Sequence, residues 1–359
     1  MVLDFSTRYR EILKEEIVIN SQNHLNSIEN LYHVVRRAKE KVYLIVDEYD
    51  SFANRLLLEI DTTSSDLGLD QYRSAVADKE AMLRSFGNVL KTGTMTVLRR
   101  MFFTGVTPMA FSGGLSSLNM VKDISYSPHF EMLFGFTEDE IKVGLEHVIP
   151  GRDSDIAWHL EVMRDNFNGY RFNLEQVQSV FNPQMCLHYL KHLQWNGKPP
   201  FPLLDPNIAS PADKVAQFLV KNYRGINSIG ALDFLRYKVG MPVEIAKEIV
   251  TFRSQQLFNV QTVDAALLAL AFHHGYLTYC DPSDPNKLGF LVSPNKVFQE
   301  IFLDAVFSAK KDIVVEYFGL SADNTTSIGL RTKVVDAFKG KLTDYSIDKI
   351  LEYLLKMLL

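Results

Sequence analysis

Two nearly continuous apolar runs, each followed at once by polar residues, stand out in the first third of the chain. The first run, Val42–Val46, leads into three carboxylates at positions 47, 48 and 50. The second, Met101–Phe103, leads into a Thr-Gly pair. Short apolar runs without alternation are typical of strands that are buried on both faces of a parallel sheet. The pattern therefore predicts two adjacent, buried, parallel strands whose polar ends lie at the same edge.

Helical periodicity surrounds these runs. Apolar positions that recur at helical spacing predict an amphipathic stretch from about Arg8 to Lys39, and a further helix is predicted from about Tyr72 to Leu90. The short segment Val2–Phe5 predicts a strand. Strand, helix and strand in this order predict an α/β fold in which helices cover a parallel sheet.

The rest of the chain is predicted to be mainly helical. Thr137 and Glu140 have the spacing of a capping box, which predicts a helix that begins there. A helix predicted over Thr262–His274 is followed by two predicted strands, Tyr276–Tyr279 and Leu288–Val292, around a polar turn. Helices followed by such a hairpin are typical of a winged helix.

Composition limits the classes of function. With 359 residues, of which 47% are hydrophobic and 23% charged, the chain has the composition of a globular protein of two or three domains. A net charge of −5 predicts no general attraction to nucleic acids, and no basic patch stands out. Cys186 and Cys280 have no CxxC spacing, which favours a reducing, intracellular location. Neither a targeting sequence nor a membrane segment is predicted.

The carboxylates after the first apolar run predict metal and water chemistry. In P-loop NTPases a buried strand delivers an Asp to the Mg²⁺ shell, and the adjacent Glu polarises the attacking water. Asp47 and Glu48 occupy these two positions, as in a Walker B segment. The same chemistry needs a phosphate-binding loop of the form G-x-x-x-x-G-K-[ST], and the 359 residues contain no such string.

Each candidate residue also has a purely structural interpretation. The alternative for Asp47 and Glu48, less favoured than a metal and water site, is that they cap a following helix. Asp50 is interpreted as a cap or a salt-bridge partner rather than a metal ligand. Thr104 would sense a γ-phosphate through its hydroxyl, or would only mark the turn after a strand. Arg171 would bind a phosphate with its guanidinium group, or would form a surface salt bridge.

Short motifs in a fixed order make the chain resemble the AAA-ATPase-like family, a P-loop group often fused to a PD-(D/E)XK-type nuclease domain. In chain order the motifs are Leu3–Ser6, Leu44–Asp50, Phe103–Pro108, Phe134–Glu140, Asn168–Phe172, Phe181–Pro183, Gly275–Thr278 and Pro294–Asn295. The first three resemble the strand after the Walker A helix, the Walker B block and the sensor strand. The resemblance runs from Val2 to about Phe307, and Asp50–Asn54 is closer to the eukaryotic, effector-like members.

The expected organisation combines this resemblance with the patterning. We expect residues 1–165 to form a partial AAA-ATPase-like α/β core, residues 166–235 a helical linking region, residues 236–320 a winged-helix-like module and residues 321–359 a helical tail. The family's Walker A strand, loop and helix would lie before Met1. The expected fold is therefore a P-loop NTPase-like parallel sheet without its first strand and phosphate loop. The tail contains no nuclease motif.

The resemblance also implies function. It implies Mg²⁺ and ATP as cofactors, with Asp47 as metal ligand, Glu48 and Thr104 as catalytic groups and Arg171 as a cofactor-binding residue. Because the phosphate loop is missing, we expect a regulatory or effector-type module that binds ATP poorly and does not hydrolyse it by itself. The alternatives are a fragment of a functional ATPase that regulates an attached nuclease, and a DNA-binding scaffold. The scaffold is disfavoured because the helix predicted over 262–274 contains no Lys or Arg.

A missing sheet strand also predicts association. Removing a central strand takes hydrogen-bond partners from its neighbours and exposes apolar sheet surface. We therefore expect the chain to be poorly soluble, to bind a protein partner or to associate with itself, with no membrane and no clear nucleic-acid partner.

Overall fold

The computed structural model describes residues 2–51, 55, 84–107, 121–205, 215–219, 263–283 and 290–309. Their contacts divide the chain into two compact units, one up to Asp123 and the other from Ile124 onward. The domain bounds predicted at residues 165, 235 and 320 stay predictions. The predicted tail and most of the helix predicted over residues 72–90 lie outside the described residues.

The first unit combines helices with a two-stranded sheet. Its helices are α1 (Val2–Arg8), α2 (Arg10–Leu13) and α3 (His24–Arg37), and its strands are β1 (Val42–Val46) and β2 (Leu98–Phe103). Residues 84–94 are also helical. The side chain of Asn23 caps α3 by accepting hydrogen bonds from the backbone amides of Leu25 and Asn26.

The two strands are parallel neighbours, as the two apolar runs predicted. Leu44 lies opposite Met101 and Val46 lies opposite Phe103, while the register shifts next to Val42. Parallel strands cannot be joined by a hairpin, and helical residues 84–94 lie within the connection between them. The chain is therefore confirmed as a mixed α/β protein with a small parallel sheet.

The expectation that both strands are buried on both faces is wrong. Tyr43 is 67% exposed, Ile45 is 72% exposed and Phe102 is 41% exposed. Their chain neighbours Leu44 and Met101 pack against the hydrophobic core. Burial that alternates along a strand is typical of a sheet that is covered on one face only. Among the described residues, this sheet therefore has one covered face and one open face.

One hydrophobic core joins α3, helical residues 84–94 and the covered face of the sheet. The buried side chains that form it are Leu13, Ile17, Leu31, Tyr32, Val34, Val35, Val89, Leu90, Val97 and Leu98. Val35 and Leu90 have no exposed surface at all. The helical spacing of the α3 residues explains why this helix was predicted correctly from its apolar positions.

The strand predicted at Val2–Phe5 is wrong, because these residues begin helix α1. Val2 and Phe5 both pack against the core, whereas Leu3 is 65% exposed. Residues three apart lie on one face of a helix but on opposite faces of a strand. A four-residue apolar segment is too short for its sequence alone to distinguish the two patterns.

The amphipathic stretch predicted from Arg8 to Lys39 is not one continuous helix. It contains the end of α1, then α2 and α3, with a non-helical segment between α2 and α3. Lys14 has a left-handed backbone with φ of 57°, and its amide donates to the carbonyl of Arg10. This geometry ends α2, as it does at many helix C-termini.

The second unit is mainly helical. Its helices are α4 (Glu138–Val148), α5 (Asp153–Phe167), α6 (Pro183–Asn196), α7 (Val263–His273) and α8 (Lys296–Ala309), with a 3₁₀ turn at Pro128–Phe130. Helices α4, α5 and α6 pack against one another, and α8 packs against α5. Phe167 and Tyr189 are fully buried among these helices.

The capping box predicted at Thr137 is present at the start of α4. The Thr137 hydroxyl accepts a hydrogen bond from the Glu140 amide at 3.2 Å, and the Glu140 carboxylate accepts one from the Thr137 amide at 2.8 Å. These bonds favour the ionised carboxylate, so the pKa of Glu140 lies below its usual value.

Residues 266–271 of helix α7 are apolar on all sides. Its buried residues, each at most 2% exposed, are Ala266, Leu267, Leu268, Ala269, Leu270 and Ala271. Strands β3 (Thr278–Tyr279) and β4 (Leu291–Val292) follow it and pair in antiparallel fashion, as predicted. A helix buried on every side is a packing helix. It therefore does not have the free surface of a DNA-reading helix, and the winged-helix assignment itself stays a prediction.

Four short segments of the second unit meet at one place, which we name the Tyr170 junction: residues 168–171, 180–181, 278 and 294–295. The Tyr170 backbone exchanges two hydrogen bonds with Val180, at 3.0 and 3.3 Å. The Thr278 hydroxyl accepts from the Arg171 amide at 2.7 Å and donates to the Arg171 carbonyl at 2.9 Å. The Asn295 side chain donates to the Asn168 carbonyl at 3.0 Å.

Gly169 allows this junction to close. Its φ of +106° belongs to the region that side chains disfavour, and a Cβ atom there would lie 2.0 Å from the carbonyl oxygen of Pro294. Only glycine therefore permits the close approach of these two backbones.

None of the helices within the described ranges is both long enough and apolar enough to cross a lipid bilayer.

Gly169→Ala should strongly destabilise the second unit. Gly197→Ala is the matched control, because Gly197 also has a positive φ of 65° but nothing lies within 4 Å of its missing Cβ. We expect the control to cost about 1–2 kcal/mol of backbone strain. Gly169→Ala should cost about 1–3 kcal/mol more, because the clash is added. Both tryptophans of the chain, Trp158 and Trp195, lie in this unit, so urea unfolding followed by tryptophan fluorescence measures it. Equal costs would contradict the clash.

Thr137→Ala should lower the stability of the same unit by about 1 kcal/mol, whereas Thr137→Ser should retain the capping oxygen and the stability.

Because the pKa of Glu140 is lowered on folding, its ionised form stabilises the folded state at neutral pH. This contribution is lost as the pH falls through the folded pKa, so the cost of Glu140→Gln should be largest near pH 7 and vanish in acid. A cost that grows in acid would refute the assignment.

Candidate functional site

Parallel pairing brings Asp47 and Thr104 to the same edge of the sheet. Each is the first residue after its strand, and the strand ends Val46 and Phe103 lie opposite each other. The amide of Thr104 donates to the carbonyl of Val46 at 2.9 Å, which extends the pairing by one step. As predicted, both residues therefore lie at the carboxyl ends of the strands, where open α/β sheets bind ligands.

The side chains of Asp47 and Thr104 are in direct contact. The Thr104 hydroxyl donates a short hydrogen bond to Oδ1 of Asp47. The same oxygen accepts the amide of Glu48 at 3.0 Å. Asp47 is exposed to solvent despite these bonds. Its carboxylate is thus oriented by two donors while it remains accessible from outside.

Glu48 has an unusual backbone. Its φ is +51°, in the left-handed region that residues with side chains rarely adopt. Such conformations cost about 1–3 kcal/mol and are frequent at functional sites. Its carbonyl accepts from the Ser51 amide at 2.9 Å, so a tight turn follows the strand immediately. The exposed side chain of Glu48 lies on this turn, next to Asp47.

Asp50 is the structural member of the carboxylate cluster. It is 1% exposed, and its carboxylate accepts hydrogen bonds from the backbone amides of Val106 and Thr107 and from the Thr107 hydroxyl. The bonds to the Thr107 amide and hydroxyl measure 2.6 and 2.8 Å. We name this set of contacts the Asp50 latch. It ties the segment after β1 to the segment after β2, so the capping role predicted for Asp50 acts on a loop rather than a helix.

Tyr49 and Gly105 complete the latch. The Tyr49 hydroxyl donates to the Thr107 carbonyl at 2.6 Å, and the Tyr49 amide donates to the Thr104 carbonyl at 3.0 Å. A Cβ atom on Gly105 would lie 2.5 Å from both Oδ1 of Asp50 and the Tyr49 ring. Sequence reasoning missed these contacts, although a glycine directly after a strand is a signal of close backbone approach.

The residues at this edge fit a hydrated Mg²⁺ ion. Mg²⁺ prefers oxygen ligands, keeps several waters and is usually held by one or two carboxylates together with substrate phosphates. The hydrogen bonds of Asp47 within the described chain use Oδ1, which leaves Oδ2 for a cation. No group of three or more His, Cys, Asp and Glu side chains in the described ranges could hold a metal ion alone. The edge therefore suits an ion shared with a phosphate rather than a closed protein site.

Arg171, the predicted cofactor-binding residue, lies in the second unit, in the Tyr170 junction. Its guanidinium group forms a salt bridge with Asp281 at 2.9 Å and donates to the Val177 carbonyl at 3.3 Å. The Arg171 side chain is only 13% exposed. The observed contacts are thus those of the structural alternative, a salt bridge, and a role in cofactor binding stays a prediction.

Another buried polar pair lies in the second unit, at a cavity of about 210 Å³ lined by Arg152, Asp155, Trp158 and His159 among others. His159 is 4% exposed, and its Nδ1 lies 2.8 Å from the Tyr189 hydroxyl. Burial lowers the pKa of His159 more than the nearby Asp155 raises it. His159 is therefore neutral at physiological pH, and its visible role is to satisfy a buried tyrosine.

Asp50→Ala should destabilise the first unit, because it leaves the Val106 amide and the buried amide and hydroxyl of Thr107 without their acceptor. We expect a loss of at least about 2 kcal/mol. Asp47→Ala is the matched control and should cost less than about 1 kcal/mol, since water replaces the exposed carboxylate. Hydrogen exchange measured by mass spectrometry on peptides covering 42–51 and 98–107 reports this unit, which contains no tryptophan. Faster exchange in the Asp47 variant than in the Asp50 variant would contradict the latch.

Comparison with known proteins gives a match to this part of the chain. Residues 3–113 match the family model described as a predicted AAA-ATPase. No curated protein and no solved structure matched the chain. The matched segment contains both parallel strands together with Asp47, Glu48 and Thr104, whereas Arg171 and the later motifs lie beyond it. Over residues 3–113 the chain therefore matches the AAA-ATPase-like family, as its motifs predict.

Proposed function

We propose that this chain is an AAA-ATPase-like regulatory or effector-type module that does not hydrolyse ATP by itself. The observation that carries the proposal is the contact of Asp47 with Thr104 at the carboxyl edge of a parallel sheet, in a sequence without a G-x-x-x-x-G-K-[ST] string. The residue types that position metal and water are present. The string that encodes a phosphate-binding loop does not occur in this sequence.

The electrostatics of this edge support weak nucleotide binding. In a P-loop site the backbone amides of the loop and its Lys make most contacts to the β- and γ-phosphates. Asp47 and Glu48 present only negative charge to a polyanion, so ATP would be held through Mg²⁺ alone. Such binding would be about millimolar or weaker, which corresponds to about 4 kcal/mol or less.

The roles proposed for the individual residues follow from this geometry. A bound Mg²⁺ would neutralise phosphate charge at this edge. Asp47 would hold the ion through Oδ2, and Glu48 would orient a water from the turn after β1. Thr104 keeps Asp47 oriented and would present its hydroxyl to a phosphate. Arg171 would have to give up Asp281 before it could bind a phosphate, which argues against a large contribution from it.

Calorimetric titration of the chain with Mg-ATP tests the proposal directly. We expect a dissociation constant of about 1 mM or weaker, with no measurable phosphate release. Asp47→Ala should abolish the remaining heat, and Arg171→Ala should leave it unchanged, because its guanidinium group is already paired. Micromolar affinity that disappears in Asp47→Ala would overturn the proposal, since other groups would then replace the phosphate loop.

The alternative, a fragment of a functional ATPase that regulates an attached nuclease, is favoured by one observation. The contact between Asp47 and Thr104 brings a carboxylate and a hydroxyl group together at one sheet edge, which supports this alternative. Fusing a strand, phosphate loop and helix from a family member ahead of Val2 would test it. Hydrolysis that appears in the fusion and is lost in Glu48→Gln would establish the alternative, and an inactive fusion that binds ATP would support the leading proposal.

A further inference from the structure

The open face of the parallel sheet carries a pattern that the nucleotide site does not use. It consists of two cross-strand pairs, Tyr43 with Arg100 and Ile45 with Phe102. Tyr43 and Ile45 are 67% and 72% exposed, and Phe102 is 41% exposed. Parallel sheets are found almost only with both faces covered, because their strands are apolar on both sides. This face is therefore suited to a covering element.

Charge is unevenly distributed along this face. Lys41, Arg99 and Arg100 are exposed at the end where the strands begin. The Lys41 ammonium group donates to the Thr96 carbonyl at 2.5 Å, which holds it beside the start of β2. Asp47 and Glu48 are exposed at the other end. The open face thus runs from a basic end, across an apolar centre, to an acidic end.

Further charged residues lie on the segment that leads into β1. The last turn of α3 carries Arg36, which is exposed, and Arg37, which forms a salt bridge with Glu15 at 3.3 Å, and the exposed residues Lys39 and Glu40 follow it. The amide of Glu40 donates to the Val35 carbonyl, so this segment leads from α3 directly to β1. In a chain with a net charge of −5, such a local excess of positive charge marks a surface for an acidic partner.

We propose that the open face binds an amphipathic helix of a partner protein, with an acidic end of that helix over Lys41, Arg99 and Arg100. A strand of five residues extends about 17 Å, which a helix of about 11 residues spans. An apolar stripe on the helix would cover Tyr43, Ile45 and Phe102. A basic end of the helix would face Asp47 and Glu48.

A partner helix of this kind would be the binding partner of the proposed regulatory module. The regulatory role of the helix rests on the proposed function, whereas its binding to the open face does not. Opposite charges at the two ends would set the direction of the bound helix, because like charges would repel in the reverse orientation. An apolar centre between charged ends is the usual arrangement of a helix-binding surface.

The test uses the full chain and a defined probe. The probe is a fluorescein-labelled 14-residue peptide with Glu in its first turn, Leu at helical spacing and Lys in its last turn, and a matched peptide has Lys in place of the Glu. Binding is followed by fluorescence anisotropy. We expect Ile45→Lys to weaken binding of the acidic peptide at least tenfold. Val143→Lys, at an exposed apolar position of α4 in the other unit, should change it less than twofold.

Reversing the charge of the basic end tests the proposed orientation of the bound helix. Arg99→Glu combined with Arg100→Glu should weaken the acidic peptide about tenfold and strengthen the Lys-substituted peptide. Both arginines are exposed, so the variant should fold, which circular dichroism checks. Binding of the acidic peptide that is absent, or unaffected by these changes, would overturn the inference.

Two other occupants give distinct results. If sedimentation shows a dimer of the wild-type chain that Ile45→Lys dissociates, the face binds a second copy and the inference is wrong. If a single-stranded oligonucleotide displaces the peptide and Tyr43→Ala abolishes its binding, the ligand is a nucleic acid and the inference is also wrong. Neither result depends on Mg-ATP, so this inference and the proposed function fail independently.

Discussion

Parallel pairing of β1 with β2 is the constraint on which the candidate site depends. It brings Asp47 and Thr104, 57 residues apart in the sequence, into contact at one edge. The pairing alone does not fix the loops beyond the strands, and the Asp50 latch supplies that connection. A buried carboxylate is stable there because three donors surround it. The buried carboxylate of Asp50 thus holds the edge together, while Asp47 and Glu48 remain exposed.

The same pairing explains the open face. Every residue of β1 is apolar or aromatic, as expected for a strand between two layers, yet only one layer covers it among the described residues. Exposed side chains such as Tyr43 and Ile45 lose the stabilisation that burial would give, about 25 cal/mol per Å². A covering element would recover this free energy. The edge that carries Asp47 and Glu48 and the open face therefore share the same two strands, and the helix proposed for the open face would contact both.

The sequence predicted the parts of the fold that depend on local pattern. The strand at Val42–Val46, the C-terminal half of β2 at Met101–Phe103, the cap at Thr137 and the packing role of α7 follow from apolar runs, spacing and composition. The open face could not be predicted, because a strand that is apolar on both sides has the same sequence whether one layer or two cover it. The Asp50 latch was missed since two of its three donors are backbone amides, which no side-chain pattern reveals.

The motifs of the second unit resemble those of an ATPase family, but their observed contacts are structural. Residues 168–171, 181, 278 and 294–295 are far apart in the chain, and they converge on the Tyr170 junction. Gly169 lets two backbones touch, Thr278 bridges a backbone, and Arg171 pairs with Asp281. Each of these residues therefore has a folding role that needs no nucleotide. The side chains that we propose for Mg²⁺ and ATP lie instead at the sheet edge of the first unit, within the segment that matches the AAA-ATPase-like family.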